Sequence, residues 1–231
     1  MPLWNEWTEH YGSFVTSRFK QKRMQLFLKS CVIKRGDTIL DLGSEDGSYM
    51  GRYYPFPEDV VLADIEEEPM REGKALFGFR GYKVIKPNEG LPFDDGEFDV
   101  VWCNSVIEHV TVSRDEMSKM TDSEFRKSAE AHQALFAKEI ERIGKRYFVQ
   151  TPSLHFPIES HSWIPLVQYL PQPKRWNLSR RLKNTWIKMW RADFHLYEIK
   201  RFRRDFPTAT QINIERAFGL PKSLIAIRGP K

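Results

Sequence analysis

Residues 38–48 read TILDLGSEDGS, and this stretch decides the fold. It begins as a short apolar strand, delivers the carboxylate of Asp41, and continues into a loop that contains Gly43 and Gly47. Glycine lets a backbone turn tightly and approach a ligand closely. In an open α/β sheet, ligands bind beyond the carboxyl ends of the strands. The stretch therefore predicts a parallel sheet with a ligand at the end of its first strand.

The rest of the chain supplies further strands and the helices between them. A confident helix is predicted over residues 122–144, and a noisier one over residues 13–30 ahead of the sheet. Apolar runs predict further strands at 60–64, 82–86, 98–104 and 146–151, and a closing pair at 211–216 and 223–228. Nearly continuous apolar runs are typical of strands that are buried on both faces. The alternation of helix and strand predicts a mostly parallel α/β sheet with helices on both faces.

Composition excludes several classes of protein. The chain has 231 residues, of which 41% are hydrophobic and 13% aromatic, so it can bury a core. It has no run of about 18 apolar residues and no secretory signal, so we expect a cytoplasmic protein. Cys31 and Cys103 have no cysteine or histidine at metal-ligand spacing around them. We therefore expect neither a disulfide scaffold nor a bound metal.

Positive charge is concentrated in one segment. Residues 171–206 contain eleven Lys or Arg and three acids, a net charge of +8, which leaves −3 for the rest of a chain whose total is +5. Such a segment suits an anionic partner such as nucleic acid, phosphate or a membrane surface, although a solvated helix face explains it as well. Its Trp176, Trp186 and Trp190 could stack bases or lie at a membrane interface, but their spacing is also typical of a core.

A second carboxylate indicates what the ligand is. Asp64 ends the second strand, where an acid can accept hydrogen bonds from both hydroxyls of a ribose. A dinucleotide would need glycines where Glu45 and Ser48 stand, and an acid-rich loop repels a pyrophosphate. This argues against a dinucleotide-dependent oxidoreductase. It favours a nucleoside that carries positive charge, such as a sulfonium and an ammonium.

The sequence resembles the class I S-adenosylmethionine (SAM)-dependent methyltransferases, most closely their type 11 branch. Residues 39–47 resemble the first motif of that family, 91–101 its Leu-Pro-Phe block, 106–110 its Leu-Glu-His-Val segment, and 138–152 its fifth helix and strand. The resemblance implies a Rossmann-like sheet of seven strands with an antiparallel last strand. It also implies SAM as cofactor and direct displacement of its methyl group, which leaves S-adenosylhomocysteine.

The resemblance and the strand ends together imply a set of cofactor-binding residues. They are Asp41, Gly43, Ser44, Gly47, Asp64, Asn88, Asn104 and Ser105.

Two positions depart from the family. Glu45 stands where a glycine is usual, and Pro87 falls where an adenine-contacting Asp is common, so Asn88 or Glu89 would have to substitute. These departures keep a non-catalytic scaffold open as an alternative.

Three residues are candidates for the catalytic step. A sulfonium is already activated, so a base is needed only if the acceptor must lose a proton. His109 follows the fourth strand, and an imidazole titrates near neutrality, although the Glu-His pair of the family can also be structural. Glu159 and His161 lie in a connection over residues 153–173, and loops of that length are usually functional. The segment that carries them is similar to a Phe-Pro-Ile-Glu-x-His segment in some members of the family, which implies that Glu159 and His161 bind the acceptor. The alternative is a rigid, proline-braced loop whose polar groups form hydrogen bonds only with the backbone.

These observations lead to one predicted organisation. We expect a single methyltransferase domain over residues 1–231, with a helical extension at 1–35, an acceptor-binding, basic insertion at 153–206 and a closing hairpin at 207–231. A polar segment over residues 111–121 is expected to form a mobile lid. The predicted acceptor is a small molecule, a glycan or a lipid-linked compound. The alternative is a nucleic-acid-directed methyltransferase or binding protein that uses residues 171–206. The sequence indicates no oligomeric state.

Overall fold

A seven-stranded sheet organises the molecule. The structure, a computed structural model, describes residues 4–87, 89–183, 185–186 and 192–230, with side chains from residue 17 onward. The strands are β1 (Ile39–Leu42), β2 (Val60–Asp64), β3 (Gly81–Val84), β4 (Phe98–Asn104), β5 (Gly144–Pro152), β6 (Gln211–Ala217) and β7 (Leu220–Arg228). Their order is β3-β2-β1-β4-β5-β7-β6. Strands β1 to β5 are parallel, and β7 runs antiparallel between β5 and β6, which confirms the predicted fold class.

Seven α-helices surround the sheet in the described part of the chain. They are α1 (Trp4–Ser30), α2 (Ser48–Tyr53), α3 (Glu67–Phe77), α4 (Arg114–Met117), α5 (Asp122–Ile143), α6 (Gln172–Leu182) and α7 (Ile199–Asp205). The predicted helix over 122–144 is confirmed as α5. Its cap is Thr121, whose hydroxyl accepts from the Glu124 backbone N–H while the Glu124 carboxylate accepts from that of Thr121. Among these described helices, none combines the length and apolarity needed to cross a bilayer.

Successive side chains of each strand point to opposite faces of the sheet, and each face is covered by helices. On one face, Leu40 and Leu42 pack with Ile140 of α5 and Phe202 of α7. On the other face, side chains of α1, α2 and α3 pack on side chains of the strands. The helices contribute Met24, Phe27, Met50 and Met70, and the strands contribute Ile39, Val60, Trp102 and Phe148. The Trp102 ring stacks on that of Phe148 with centroids 4.8 Å apart. Burial on both faces explains why these strands are apolar throughout.

The order of the strands reverses at β1. From β1 the chain proceeds outward through β2 to β3, whereas β4, on the opposite side of β1, leads to β5. At such a switch point the loops after the two central strands diverge and leave a crevice at the carboxyl edge of the sheet. The loops after β1 and β4 are therefore the ones that can hold a ligand together.

The segment over residues 111–121 differs from the mobile lid expected from its polar sequence. Val112 and Met117 are 8% and 1% exposed, and they form a buried cluster with Phe125 and Ala129 of α5. Two apolar anchors in an otherwise polar stretch hold the segment against α5. Burial of a methionine or valine side chain contributes about 1.5–3 kcal/mol, so this segment is part of the folded body.

One glycine allows α3 to pack on the loop that follows β1. A Cβ atom at Gly73 would overlap the backbone carbonyl of Asp46. We expect Gly73→Ala to lower the melting temperature by several degrees, although Ala is intrinsically about 1 kcal/mol better than Gly inside a helix. The matched control is Gly81→Ala, because a Cβ there meets no atom within 4 Å. Equal melting temperatures of the two variants would show that the loop tolerates displacement.

Candidate active site

The loop after β1 has a backbone that requires glycine. Gly43 and Gly47 have φ angles of 77° and 68°, in the left-handed region. A Cβ at Gly43 would overlap the side chain of Val106, which follows β4. The Gly43 N–H donates to the Ala63 carbonyl in β2 at 2.7 Å. The loop is thus fixed between the ends of β2 and β4.

Glu45 has a left-handed backbone conformation, which glycine adopts more readily than other residues. Its φ angle is 54°, and its side chain is exposed. Its N–H donates to Asp64 Oδ2 at 2.7 Å, while Asp64 Oδ1 accepts from the Ile65 N–H at 2.6 Å. Each carboxylate oxygen has a second acceptor site. Asp64 is therefore oriented by backbone donors and can still accept further hydrogen bonds.

Asp41 is a buried acid at the end of β1. It is 4% exposed, and burial raises its pKa to about 8, with a further upward contribution from the charges of Asp64 and Asp46. Beside it in the chain, the buried hydroxyl oxygen of Ser44 has no hydrogen-bond partner among the described residues. A crevice with three acids and an unsatisfied hydroxyl favours a ligand that carries positive charge and hydrogen-bonding groups.

The end of β4 is held by a helix that the sequence did not connect with the site. Asn104 Oδ1 accepts from Arg23 Nη1 of α1 at 2.7 Å, and Arg23 Nη2 binds Glu215 Oε2 of β6 at 2.7 Å. Ser105, with a φ angle of 58°, donates from Oγ to Gln150 Oε1 at 2.9 Å. Arg23 and Glu215 were not predicted, since a lone basic residue in a basic helix carries no specific signal.

The three predicted catalytic residues lie together, beyond the carboxyl ends of β4 and β5. His109 Nε2 is 3.0 Å from His161 Nε2, and His161 Nδ1 is 2.5 Å from Glu159 Oε1. The second ring nitrogen of His109, Nδ1, is 3.3 Å from Asp193 Oδ1. Glu108 Oε1 lies 3.6 Å from His161 Nε2. The sequence predicted His109, Glu159 and His161, but it did not predict Glu108 or Asp193.

Buried carboxylates determine the charge of this cluster. Glu108 is fully buried, and its Oε2 accepts from Thr151 Oγ1 at 3.0 Å. Burial of the His161 ring lowers its pKa, but the carboxylates of Glu108 and Glu159 outweigh this effect and raise it to about 9. Burial raises the pKa of Glu159, yet hydrogen bonds from His161 and Ser162 outweigh it and lower the pKa to about 2. The surroundings therefore favour positive charge between the carboxylates.

Some of the basic side chains in the insertion over residues 153–206 are buried and do not contribute to its surface. The Arg175 side chain is 4% exposed and lies over the Phe194 ring, 4.7 Å from its centroid. Arg201 donates to Gln133 at 2.6 Å inside the fold. Trp186 Nε1 donates to the Ser162 carbonyl at 2.7 Å, which ties the insertion to the loop that carries Glu159 and His161. The predictions for Asn88 and Trp190 concern residues outside the described part of the chain.

Comparisons with known proteins agree with this geometry. Residues 40–125 match the family model of the type 11 methyltransferase domain. The PH0226 protein of Pyrococcus horikoshii is 18% identical, with a TM-score of 0.54 and coverage of 94% of this chain and 91% of that one. A putative methyltransferase in complex with the Haloferax volcanii Trm112 activator is 13% identical, with a TM-score of 0.50 and coverage of 98% and 97%. The methyltransferase CalH, complexed with S-adenosylhomocysteine, is 13% identical with a TM-score of 0.55 and coverage of 90% and 57%. No curated protein matches the sequence.

The sheet and the switch-point crevice are those of the class I methyltransferase fold. Residues 40–125 match the type 11 methyltransferase domain, and this match together with the fold supports SAM-dependent methyl transfer by this chain. The crevice fits this cofactor on its own chemistry, because SAM carries a sulfonium and an ammonium for the acids and hydroxyls for the carboxylate at the end of β2. The non-catalytic alternative rested on Glu45 and Pro87, and Glu45 leaves the loop conformation intact.

The buried acid Asp41 gives a pH-dependent stability that can be measured without ligand. Its folded pKa of about 8 exceeds the ordinary value of 3.8. Its contribution to stability is therefore fully present below about pH 4 and is lost as the pH rises through 8. We expect Asp41→Asn to gain stability relative to wild type between pH 5 and pH 8.5, by about 1 kcal/mol or more, in urea unfolding. A wild-type-minus-variant difference that is the same at both pH values would contradict this assignment.

Proposed function

We propose that this enzyme transfers the methyl group of SAM to a hydroxyl of a small-molecule, glycan or lipid-linked acceptor. The observation that carries the proposal is the cluster of His109, His161, Glu108 and Glu159 next to the β1–β4 switch point. Imidazoles and carboxylates accept hydrogen bonds from a hydroxyl and so can orient its oxygen toward the methyl carbon. The carbon–oxygen bond forms as the carbon–sulfur bond breaks, the electron pair of the broken bond stays on sulfur, and the hydroxyl proton passes to water.

The cofactor lies, in this proposal, across the ends of β1, β2 and β4. Asp64 accepts hydrogen bonds from the ribose hydroxyls, because its two oxygens are already oriented by the backbone of Glu45 and Ile65. The backbone at Gly43, Ser44 and Gly47 lines the cofactor, and Asp41 faces its positive charge. Asn104 and Ser105 border the methionine end. Asn88, which the sequence included in this set, is left as a prediction.

The acceptor enters from the side of the insertion over residues 153–206. The imidazoles of His109 and His161, whose Nε2 atoms face each other, orient the acceptor hydroxyl. Glu159 acts as a positioning residue, since it holds His161 through Nδ1 and through the backbone N–H at 2.8 Å.

A location in the cytoplasm, which the sequence predicts, remains part of the proposal.

Exposed apolar side chains on the insertion favour a lipid-linked acceptor among the three types. Six large apolar residues between positions 158 and 186 are 37–55% exposed: Ile158, Trp163, Leu166, Tyr169, Leu170 and Trp186. Exposed basic residues of α6, among them Arg180 and Arg181, lie in the same insertion. Apolar and cationic groups together are typical of proteins that lie on an anionic lipid surface.

The structure gives less support to a nucleic-acid substrate than the sequence does. It depended on the positive charge of residues 171–206, and Arg175 and Arg201 direct theirs into the fold. Salt-dependent binding of a single-stranded oligonucleotide, with a steep loss of affinity as salt rises, would favour it over a lipid-linked acceptor.

Calorimetry tests the cofactor site directly. We expect SAM and S-adenosylhomocysteine to bind the wild type in the micromolar range, and Asp64→Ala to weaken binding by at least about tenfold, or 1.4 kcal/mol, because the ribose loses its oriented acceptor. Asp94→Ala is the matched control, since this exposed aspartate precedes β4 at the opposite edge of the sheet. Absence of heat at millimolar ligand would reject the proposal. An equal loss in the two variants would reject the role of Asp64.

Co-sedimentation with vesicles tests the acceptor type. We expect the wild type to bind vesicles of equal parts phosphatidylglycerol and phosphatidylcholine, and the double variant Leu166→Ser, Leu170→Ser to bind several-fold less. Leu76→Ser, which removes a 74% exposed leucine on α3, should bind like the wild type. No binding by the wild type would favour a water-soluble small molecule or glycan as acceptor.

A further inference from the structure

The structure places three potential metal ligands around one point. Glu108, His109 and His161 each offer one ligand atom, and these atoms all lie within 4.8 Å of one another. The atoms facing each other are His109 Nε2 and His161 Nε2 at 3.0 Å, with Glu108 Oε1 at 3.6 Å from His161 Nε2. Metal–ligand bonds of ~2.0–2.2 Å place neighbouring ligand atoms roughly 3–3.5 Å apart. The set needs only a small contraction to surround an ion.

The second nitrogen of each ring already has a carboxylate partner. His161 Nδ1 contacts Glu159 Oε1 at 2.5 Å, and His109 Nδ1 contacts Asp193 Oδ1 at 3.3 Å. A carboxylate accepts hydrogen bonds, so these contacts place a hydrogen on both Nδ1 atoms. The Nε2 atoms, which are the ones left to act as ligands, face each other across 3.0 Å. Carboxylates behind ligating histidines are typical of metal sites, because they hold each ring in the orientation that ligation needs.

Glu108 supplies an independent observation. Its side chain is fully buried, and its Oε2 is held by Thr151, but no described group donates a hydrogen bond to Oε1. An unsatisfied buried carboxylate oxygen is costly. Because this oxygen lies beside His161 Nε2, it is oriented toward the same point as the two imidazoles. A bound cation is the partner that satisfies all three ligand atoms together.

We propose that Glu108, His109 and His161 bind a divalent transition-metal ion, with Zn²⁺ as the first candidate. Two imidazoles and one carboxylate are a ligand set that suits zinc and other first-row divalent ions better than magnesium or calcium. Three protein ligands leave coordination positions open. At an open position, and in this respect resting on the proposed function, the ion binds the acceptor hydroxyl oxygen and promotes release of its proton to water before the oxygen attacks the methyl carbon.

This proposal departs from the expectation that no metal is bound. That expectation came from the spacing of the two cysteines and of the residues around them. His109 and His161 are 52 positions apart, so their approach is set by the ends of β4 and β5 rather than by a local motif.

Metal binding is tested on the full chain after treatment with a chelator, by calorimetric titration with Zn²⁺ and by elemental analysis of the dialysed protein. We expect one ion per chain with a dissociation constant in the micromolar range or below. His161→Ala and Glu108→Gln should each weaken Zn²⁺ binding by at least tenfold. His155→Ala should leave it unchanged, because this exposed histidine belongs to the same loop but not to the cluster. Co²⁺ should give a visible absorption spectrum that the wild type shows and His161→Ala lacks.

SAM affinity distinguishes failure of this inference from failure of the proposed function. We expect His161→Ala and Glu108→Gln to fold and to bind SAM like the wild type, so lost metal binding in them reflects lost ligands. Zn²⁺ binding that all variants retain, or that His155→Ala lowers equally, would overturn the metal site while leaving the cofactor site intact. Zn²⁺ binding in a protein that takes up no SAM would leave the metal site standing without the methyl-transfer role.

Discussion

The parallel pairing of β1 with β4 is the constraint on which the other features of the site depend. Four pairs in register, from Ile39 with Val100 to Leu42 with Cys103, bring the two strands to a common edge. The loop after β1 then packs on Val106, so tightly that residue 43 must be glycine. The same register places Glu108 and His109 one turn beyond the end of β4. The backbone hydrogen bonds between β1 and β4 thus position two polar clusters: the one around Asp41 and the loop after β1, and the one that contains Glu108 and His109.

The two clusters use buried carboxylates in different ways. Asp41 is buried near other acids, and its pKa is raised, so the empty protein accepts an energetic cost that a cationic ligand relieves. Glu108 and Glu159 instead lie next to imidazoles, and the pKa of Glu159 is lowered. Two buried oxygens without a hydrogen-bond partner among the described residues, Ser44 Oγ and Glu108 Oε1, lie in the two clusters that the proposed ligands would occupy.

Local sequence patterns were sufficient to predict most of the fold but only part of the site. The strands are apolar runs that end in polar residues, and this pattern does not depend on distant parts of the chain. The predicted third strand, over residues 82–86, lies at the edge of the sheet, and the observed β3 spans Gly81–Val84 because an edge strand has weaker burial to define its ends. Arg23 and Asp193 could not be predicted, since their roles arise from partners 81 and 84 positions away. Glu108 lies within the segment 106–110 that resembles the family, but only the structure shows that it is buried and that one of its oxygens has no hydrogen-bond partner among the described residues.

The bridge made by Arg23 has a consequence for the order in which the molecule assembles. Its guanidinium joins α1 to Asn104 at the end of β4 and to Glu215 in β6, contacts that span 81 and 192 positions of sequence. Contacts of such long range are formed only when the intervening chain is ordered, which has an entropic cost. The bridge therefore depends on the β6–β7 hairpin being docked beside β5. A change that loosens this distant hairpin would also remove the partner that holds Arg23 beside Asn104, so the end of β4 depends on the last segment of the sheet.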